Sequence, residues 1–202
     1  MAWNVGDNTL TTLYEKESLI VSAEISDKGT QFAVWTAVDN TLTIVDAISG
    51  NPVASTKIEH NSPRAGNVFW LGDKYIGTSG FGRGSVRQMS IFDVNSLSQG
   101  AVCTVDLESS PSLGQAVFDR DTSILYFAGR GDNQIRTFDF NENDKSLTEI
   151  SVFVAQNSCL GFSLAPKQEV DVRKVEIAKL FYLSDKLISS VGFSIPRQRV
   201  RK

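Results

Sequence analysis

Residues 131–147 read GDNQIRTFDFNENDKSL and residues 38–54 read VDNTLTIVDAISGNPVA, and the two stretches share one pattern. In each, Asp-Asn is followed by any residue, Leu or Ile, two further residues, an apolar residue and Asp. Asp39 and Asp132 stand 93 positions apart. The closing pair, an apolar or aromatic residue before Asp or Asn, recurs at Trp3-Asn4, Val45-Asp46, Phe92-Asp93 and Phe138-Asp139. Their second members are separated by 42, 47 and 46 positions. A further copy, GRGSVRQMSIFDVNSLSQG (82–100), keeps the strand Met89–Phe92 and Asp93 but replaces the Asp-Asn entry with a longer Gly-rich loop.

A period near 40 to 45 residues is that of a WD-repeat blade, a four-stranded sheet too small to bury both faces alone and stabilised by stacking on its neighbours. Between the anchors the chain alternates with period two, as in TQFAVWTAV (30–38), YIGTSGF (75–81) and SILYFAG (123–129), with Gly, Asn, Asp and Ser clusters between them. The stretch VRKVEIAKLFYL (172–183) fits helix and strand about equally; the strand-like KLISSVGFSI (186–195) beside it predicts a hairpin. The expected fold class is therefore all-β, a partial WD-repeat β-propeller over residues 1–196, followed by a basic tail at 197–202. At about 45 residues per blade the length supplies between four and five blades. Three explanations of that length stay open: a piece of a longer propeller, which is preferred, a ring completed by a partner chain, or an open array.

Composition excludes several function classes. Of 202 residues, 41% are hydrophobic and 21% charged, a folded composition. No apolar run approaches the roughly 20 residues of a membrane helix, and MAWNVGDNTL at the start lacks the basic and apolar regions of a secretory signal. A cytoplasmic setting is the expectation. A net charge of −3 argues against a surface devoted to nucleic acid. Cys103 and Cys159 are distant from each other and lack metal-ligand spacing. Neither a metal nor a cofactor is expected.

As a set, TSGFGRGSVRQMSIFD (78–93), FDRDTSILYFAGRGDNQIRTFDF (118–140), APK (165–167), VEIAKLFYL (175–183) and IPR (195–197) resemble the second half of the coronin propeller in the same order. The similarity runs from AWNVG to Pro196-Arg197. It implies a seven-bladed propeller that binds filamentous actin, with the actin-related nucleating complex as a possible further partner, and it does not imply catalysis. The sequence departs from the family in lacking the first two or three blades, the extension after the last blade and the C-terminal coiled coil. Without heptads, no coiled-coil self-association is expected. The alternative is a generic WD-repeat scaffold without actin affinity.

An acidic filament calls for Lys and Arg with a few apolar anchors. The candidates on loops or strand ends are Arg64, Arg83, Arg87, Arg130, Lys174 and Lys179, with Arg83 and Arg87 bracketing the Gly-rich loop as exposed charges. Asp39, Asp46, Asp93, Asp132 and Asp139 are assigned to repeat turns. Arg130-Gly131-Asp132 spells the tripeptide of integrin ligands, but the repeat already accounts for Asp132, with Gly129 and Gly131 supplying positive φ. SGFGRGS (79–85) lacks the Lys-Ser/Thr ending of a phosphate loop. His60, the one histidine, is assigned to a structural turn, which leaves no Ser-His-Asp set outside it.

Overall fold

Period-two alternation becomes strands almost wherever it is strongest. The computed structural model describes residues 2–4, 6–61 and 66–195; Arg64 and the basic tail lie outside them. A hairpin of β1 (Ala2–Asn4) and β2 (Thr9–Thr11) comes first. Three four-stranded antiparallel sheets follow, each a meander from first to outer strand. They comprise β3 (Ile20–Ile25), β4 (Gln31–Thr36), β5 (Thr41–Asp46) and β6 (Pro52–Lys57); then β7 (Asn67–Leu71), β8 (Tyr75–Phe81), β9 (Val86–Asp93) and β10 (Ala101–Ser109); then β11 (Gly114–Asp119), β12 (Ile124–Gly129), β13 (Gln134–Asn141) and β14 (Ser146–Val154). A three-stranded sheet of β15 (Gly161–Leu164), β16 (Glu176–Leu183) and β17 (Ile188–Ser194) completes the described chain. The ambiguous 172–183 stretch resolves into a short 3-10 turn, Val172–Lys174, and then β16, hairpinned to β17 as expected.

The chain divides into two compact units, Met1–Gly114 with Glu142–Leu147, and Gln115–Asn141 with Thr148–Lys202. In the first unit the sheets of β3–β6 and β7–β10 meet face to face over Ala33, Trp35, Leu42, Ile44, Val68, Trp70 and Ile76, all buried. Their first strands are stitched by polar groups, because each backbone group removed from water needs a partner. Val68 N–H donates to Ser22 Oγ (3.1 Å), Trp70 N–H to Glu24 Oε2 (3.1 Å) and Trp70 Nε1 to the Glu24 carbonyl (3.0 Å). In the second unit, Tyr126, Ala128 and Ile135 of one sheet pack on Phe162, Ala178, Leu180 and Tyr182 of the next, with Gln115 Nε2 donating to the Phe162 carbonyl (3.1 Å). Even-numbered β16 side chains serve that interface, so the odd-numbered ones take the opposite face.

Close approach between sheets requires glycine at one point in particular. A Cβ on Gly80 would lie 2.8 Å from the His60 ring, nearer than carbon atoms sit without displacement. Gly80→Ala is therefore expected to lower stability by about 1–3 kcal/mol, read as a drop in the urea midpoint. An unchanged midpoint would mean that the His60 loop yields freely.

Candidate functional site

The turns joining second to third strands carry the repeated Asp-Asn motif, and they are built alike. At Asp39-Asn40 the chain enters the left-handed region on Asn40 (φ 46), whose carbonyl accepts from Ile58 N–H (2.9 Å). At Asp132-Asn133 the left-handed residue is Gly131 (φ 91), and the Asn133 carbonyl accepts from Ala155 N–H (2.7 Å). Each turn is thereby tied to the segment leaving its own outer strand. Gly129, expected to share the positive φ, is instead the last residue of β12; one left-handed residue suffices to reverse the chain.

Asp39 accepts from Lys16 Nζ (2.8 Å) and Thr36 Oγ1 (2.6 Å), and these bonds, Lys16 first, hold its carboxyl well below the usual carboxylate range. Asp132 closes its turn by donating its N–H to the Gly129 carbonyl (3.0 Å), while its own carbonyl accepts from Cys159 N–H (2.6 Å). Asp46 and Asp93 end β5 and β9 and cap the next turn through Ser49 N–H (2.7 Å) and Asn95 N–H (2.9 Å). Asp139 departs from the expected turn role. It lies inside β13 opposite Ile124, because the strand runs on through Phe140, which is buried, to Asn141.

His60 is the centre of a buried polar relay. Its Nδ1 donates to Gln88 Oε1 (3.1 Å) and its Nε2 accepts from Thr78 Oγ1 (3.0 Å), so the neutral imidazole spends both nitrogens. Trp35 lies 5.4 Å from the His60 ring, centroid to centroid, and donates Nε1 to Asn40 Oδ1 (2.9 Å). Asn40 Nδ2 returns to the carbonyls of Ile58 and His60. The assignment of His60 to structure fits this geometry. Among the described residues no group of three His, Cys, Asp or Glu is placed to hold a metal ion.

The basic candidates separate sharply. Arg83 is exposed on the 3-10 turn Arg83–Ser85, where Gly84 (φ 68) and Ser85 (φ 60) turn the chain between β8 and β9. Arg130 is exposed at the equivalent second-to-third strand turn of its own sheet. Lys174, with its side chain 82% exposed, sits between the first and second strands of the last sheet, at the other end of β16 from its turn into β17. Lys179 is half-buried on β16, 3.5 Å from Glu176, with Nζ donating to the Glu169 carbonyl. Arg87 corrects the expectation of an exposed loop charge: it is 2% exposed within β9, and its guanidinium meets Glu108 on β10. Strand parity explains this, since Arg87 shares its face with Met89 and Ile91, both fully buried.

Three solved structures show what this arrangement resembles. The WD40 domain of coronin from Toxoplasma gondii aligns over 98% of this chain and 51% of its own, at 26% identity and a TM-score of 0.85. A chain of the mitotic checkpoint complex aligns over 87% and 51%, at 18% identity and 0.63. A functionally unknown protein from Desulfotomaculum acetoxidans aligns over 91% and 55%, at 13% identity and 0.68. No protein-family model matches the chain. The fold is thus that of a WD40 β-propeller segment, and the chain spans about half the length of these structures. No helix among the described residues is long and apolar enough to cross a membrane.

Two outcomes follow from the buried groups. Burial pushes the His60 imidazole below its usual range, so the folded state resists protonation. Stability contributed by neutral His60 is present above about pH 6.5, the unfolded value, and is lost as pH falls below it. The difference in urea midpoint between wild type and His60→Gln should accordingly narrow from pH 7.5 to pH 5; a constant difference would contradict a buried neutral imidazole. Arg87→Ala, which takes the guanidinium from Glu108, is expected to cost about 2 kcal/mol. A neutral result in the same assay would place Arg87 at the surface.

Proposed function

We propose that the chain is an actin-filament-binding propeller segment of the coronin type, working in the cytoplasm as an adaptor or regulator of actin dynamics. The single observation that carries this reading is the match to the coronin WD40 domain. It extends over nearly the whole chain with higher identity and a higher TM-score than the checkpoint and Desulfotomaculum structures, and it agrees with the ordered motifs from 78 to 197 that resemble that family. WD40 propellers are interaction scaffolds, and the loops between rigid strands are where such proteins carry function.

Arg83 and Arg130 are the residues best suited to an acidic filament. Both are exposed, and both stand on the same kind of turn, between second and third strands. Arg87 and Lys179 are committed to internal partners, and Lys174 lies on the first-to-second strand connection of its sheet. A catalytic role is not proposed: His60, the usual acid-base group near neutral pH, is buried between Gln88 and Thr78.

A second reading, a WD-repeat scaffold for proteins other than actin, draws on the sharing of this fold with the checkpoint complex chain. Co-sedimentation with actin filaments separates the two. The coronin-type reading expects saturable pelleting at low salt, weakened as salt rises through screening, and reduced about tenfold in affinity by Arg83→Glu with Arg130→Glu. Pelleting of wild type no greater than in a filament-free control would overturn actin binding. Equal pelleting of the double variant would remove these two arginines from the contact.

A further inference from the structure

The second-to-third strand turns of the first unit project more than charge. Counting from Asp39 and Asp132, Val38 stands where the sister turn has Gly131, so the repeat requires no side chain at that position. The isopropyl group of Val38 is nonetheless present and 84% exposed. Its backbone is fixed. Ala37 N–H donates to the Leu19 carbonyl (2.8 Å), Val38 N–H to Ser18 Oγ (3.2 Å) and Lys57 Nζ to the Asp39 carbonyl. From this turn a line of hydrogen bonds leads to the next sheet: Asn40 Nδ2 donates to the His60 carbonyl (2.9 Å), and Asn61 N–H to the carbonyl of Phe81 at the end of β8 (2.8 Å). There the chain reverses through Gly84 and Ser85, closed by Val86 N–H on the Arg83 carbonyl and by Gly82 N–H on the Val86 carbonyl (2.8 Å). Positive φ at both central residues makes a tight turn that matches the twist of the flanking strands. Val38 and Arg83 therefore ride on one braced surface of the first unit.

Beside Arg83 lies a cleft of about 350 Å³, lined among the described residues by Asn61, Phe81, Gly82, Ser85, Ser110 and Pro111. Three segments build it: the connection after β6, the β8–β9 turn and the connection after β10. The sheet of β7–β10 has all four strands, so no missing strand accounts for the opening. Phe81 is the one residue of β8 that is not buried, and Pro111 is exposed. The volume lies near the lower end for ligand pockets and suits a protein side chain. Each wall has its own chemistry. Phe81 and Pro111 offer apolar surface, while the side chains of Asn61, Ser85 and Ser110 carry donors and acceptors for the main chain of an incoming segment. Arg83, exposed between the lining residues Gly82 and Ser85, favours a carboxylate next to that side chain.

We infer that the Phe81–Pro111 cleft and Val38 are the apolar anchor points of the filament contact: the cleft receives an apolar side chain that neighbours a carboxylate on the filament surface, and Val38 packs on a second apolar point. The inference rests on the actin-binding reading and adds to the charge of Arg83 the part of the contact that excludes water. The two parts differ in their response to salt. Attraction between exposed charges is screened as ionic strength rises, whereas burial of apolar surface is not. Charge thus steers the encounter, and a few buried apolar groups hold it.

The test is co-sedimentation of the full chain with actin filaments over a salt series, for wild type, Arg83→Glu and the double variant Val38→Thr with Pro111→Ser. Both positions of the double variant are exposed, so its circular dichroism melt should match wild type. Its affinity should fall about tenfold, and by the same factor at low and at high salt. The deficit of Arg83→Glu should instead shrink as salt rises. Equal pelleting of wild type and the double variant would overturn the anchors while leaving actin binding in place. Pelleting of wild type no greater than in a filament-free control would overturn both. A deficit of the double variant that fades with salt as that of Arg83→Glu does would also overturn the anchors, since the contact would then be one of charge alone. A collapsed melt would count against them too, by showing that Val38 or Pro111 serves the fold.

Discussion

The packing of one sheet face on the next is the constraint from which the other features follow, and Trp35 is where it is tightest. Its side chain is fully buried between the sheets of β3–β6 and β7–β10, and any Cβ on Gly66 would run into its ring. Burying an aromatic side chain of this size contributes a few kcal/mol, but only if its indole N–H is satisfied. Asn40 meets that need from the turn after β4. The same Asn binds the Ile58 and His60 carbonyls, so the turn, the interface and the incoming loop form one connected network. Networks of this kind rigidify when every member is paired.

From that rigidity comes a separation of roles along each sheet. Charges that point into the stack, such as Arg87, are used up in bonds that hold strands together, while those carried past the strand ends, such as Arg83 and Arg130, are exposed. A four-stranded sheet thus presents its turns as fixed projections, which is how a repeat fold can serve recognition. The Arg-Gly-Asp of residues 130–132 belongs to this scheme. Gly131 and Asp132 close a turn, through bonds to the Cys159 carbonyl and Gly129 carbonyl respectively, and the Arg130 side chain is exposed.

Much of this was legible in the chain because strand parity and turn chemistry are local. The Asp-Asn repeats marked equivalent turns at Asn40 and Asn133, and YIGTSGF predicted β8 residue for residue. The errors arose where a local rule met a longer-range one. Arg87 beside a Gly-rich loop suggested a loop charge, yet counting by twos from Met89 and Ile91 would have placed it inside, and Glu108 lay on the next strand to receive it. Asp139 was assigned to a turn because Phe138-Asp139 matched the repeat, but Phe140 adds one more buried position and carries β13 past it. The His60 partners, Thr78 and Gln88, lie 18 and 28 residues away, and no pattern within the His60 segment encodes them.

Hydrogen exchange of the native chain, resolved to single amides, tests most directly the account that stability comes from sheets covering one another. Interior strands such as β5 and β8 should exchange only through cooperative opening, at a common high free energy. Widely different opening energies for β5 and β8 would contradict the mutual dependence of the sheets in the first unit.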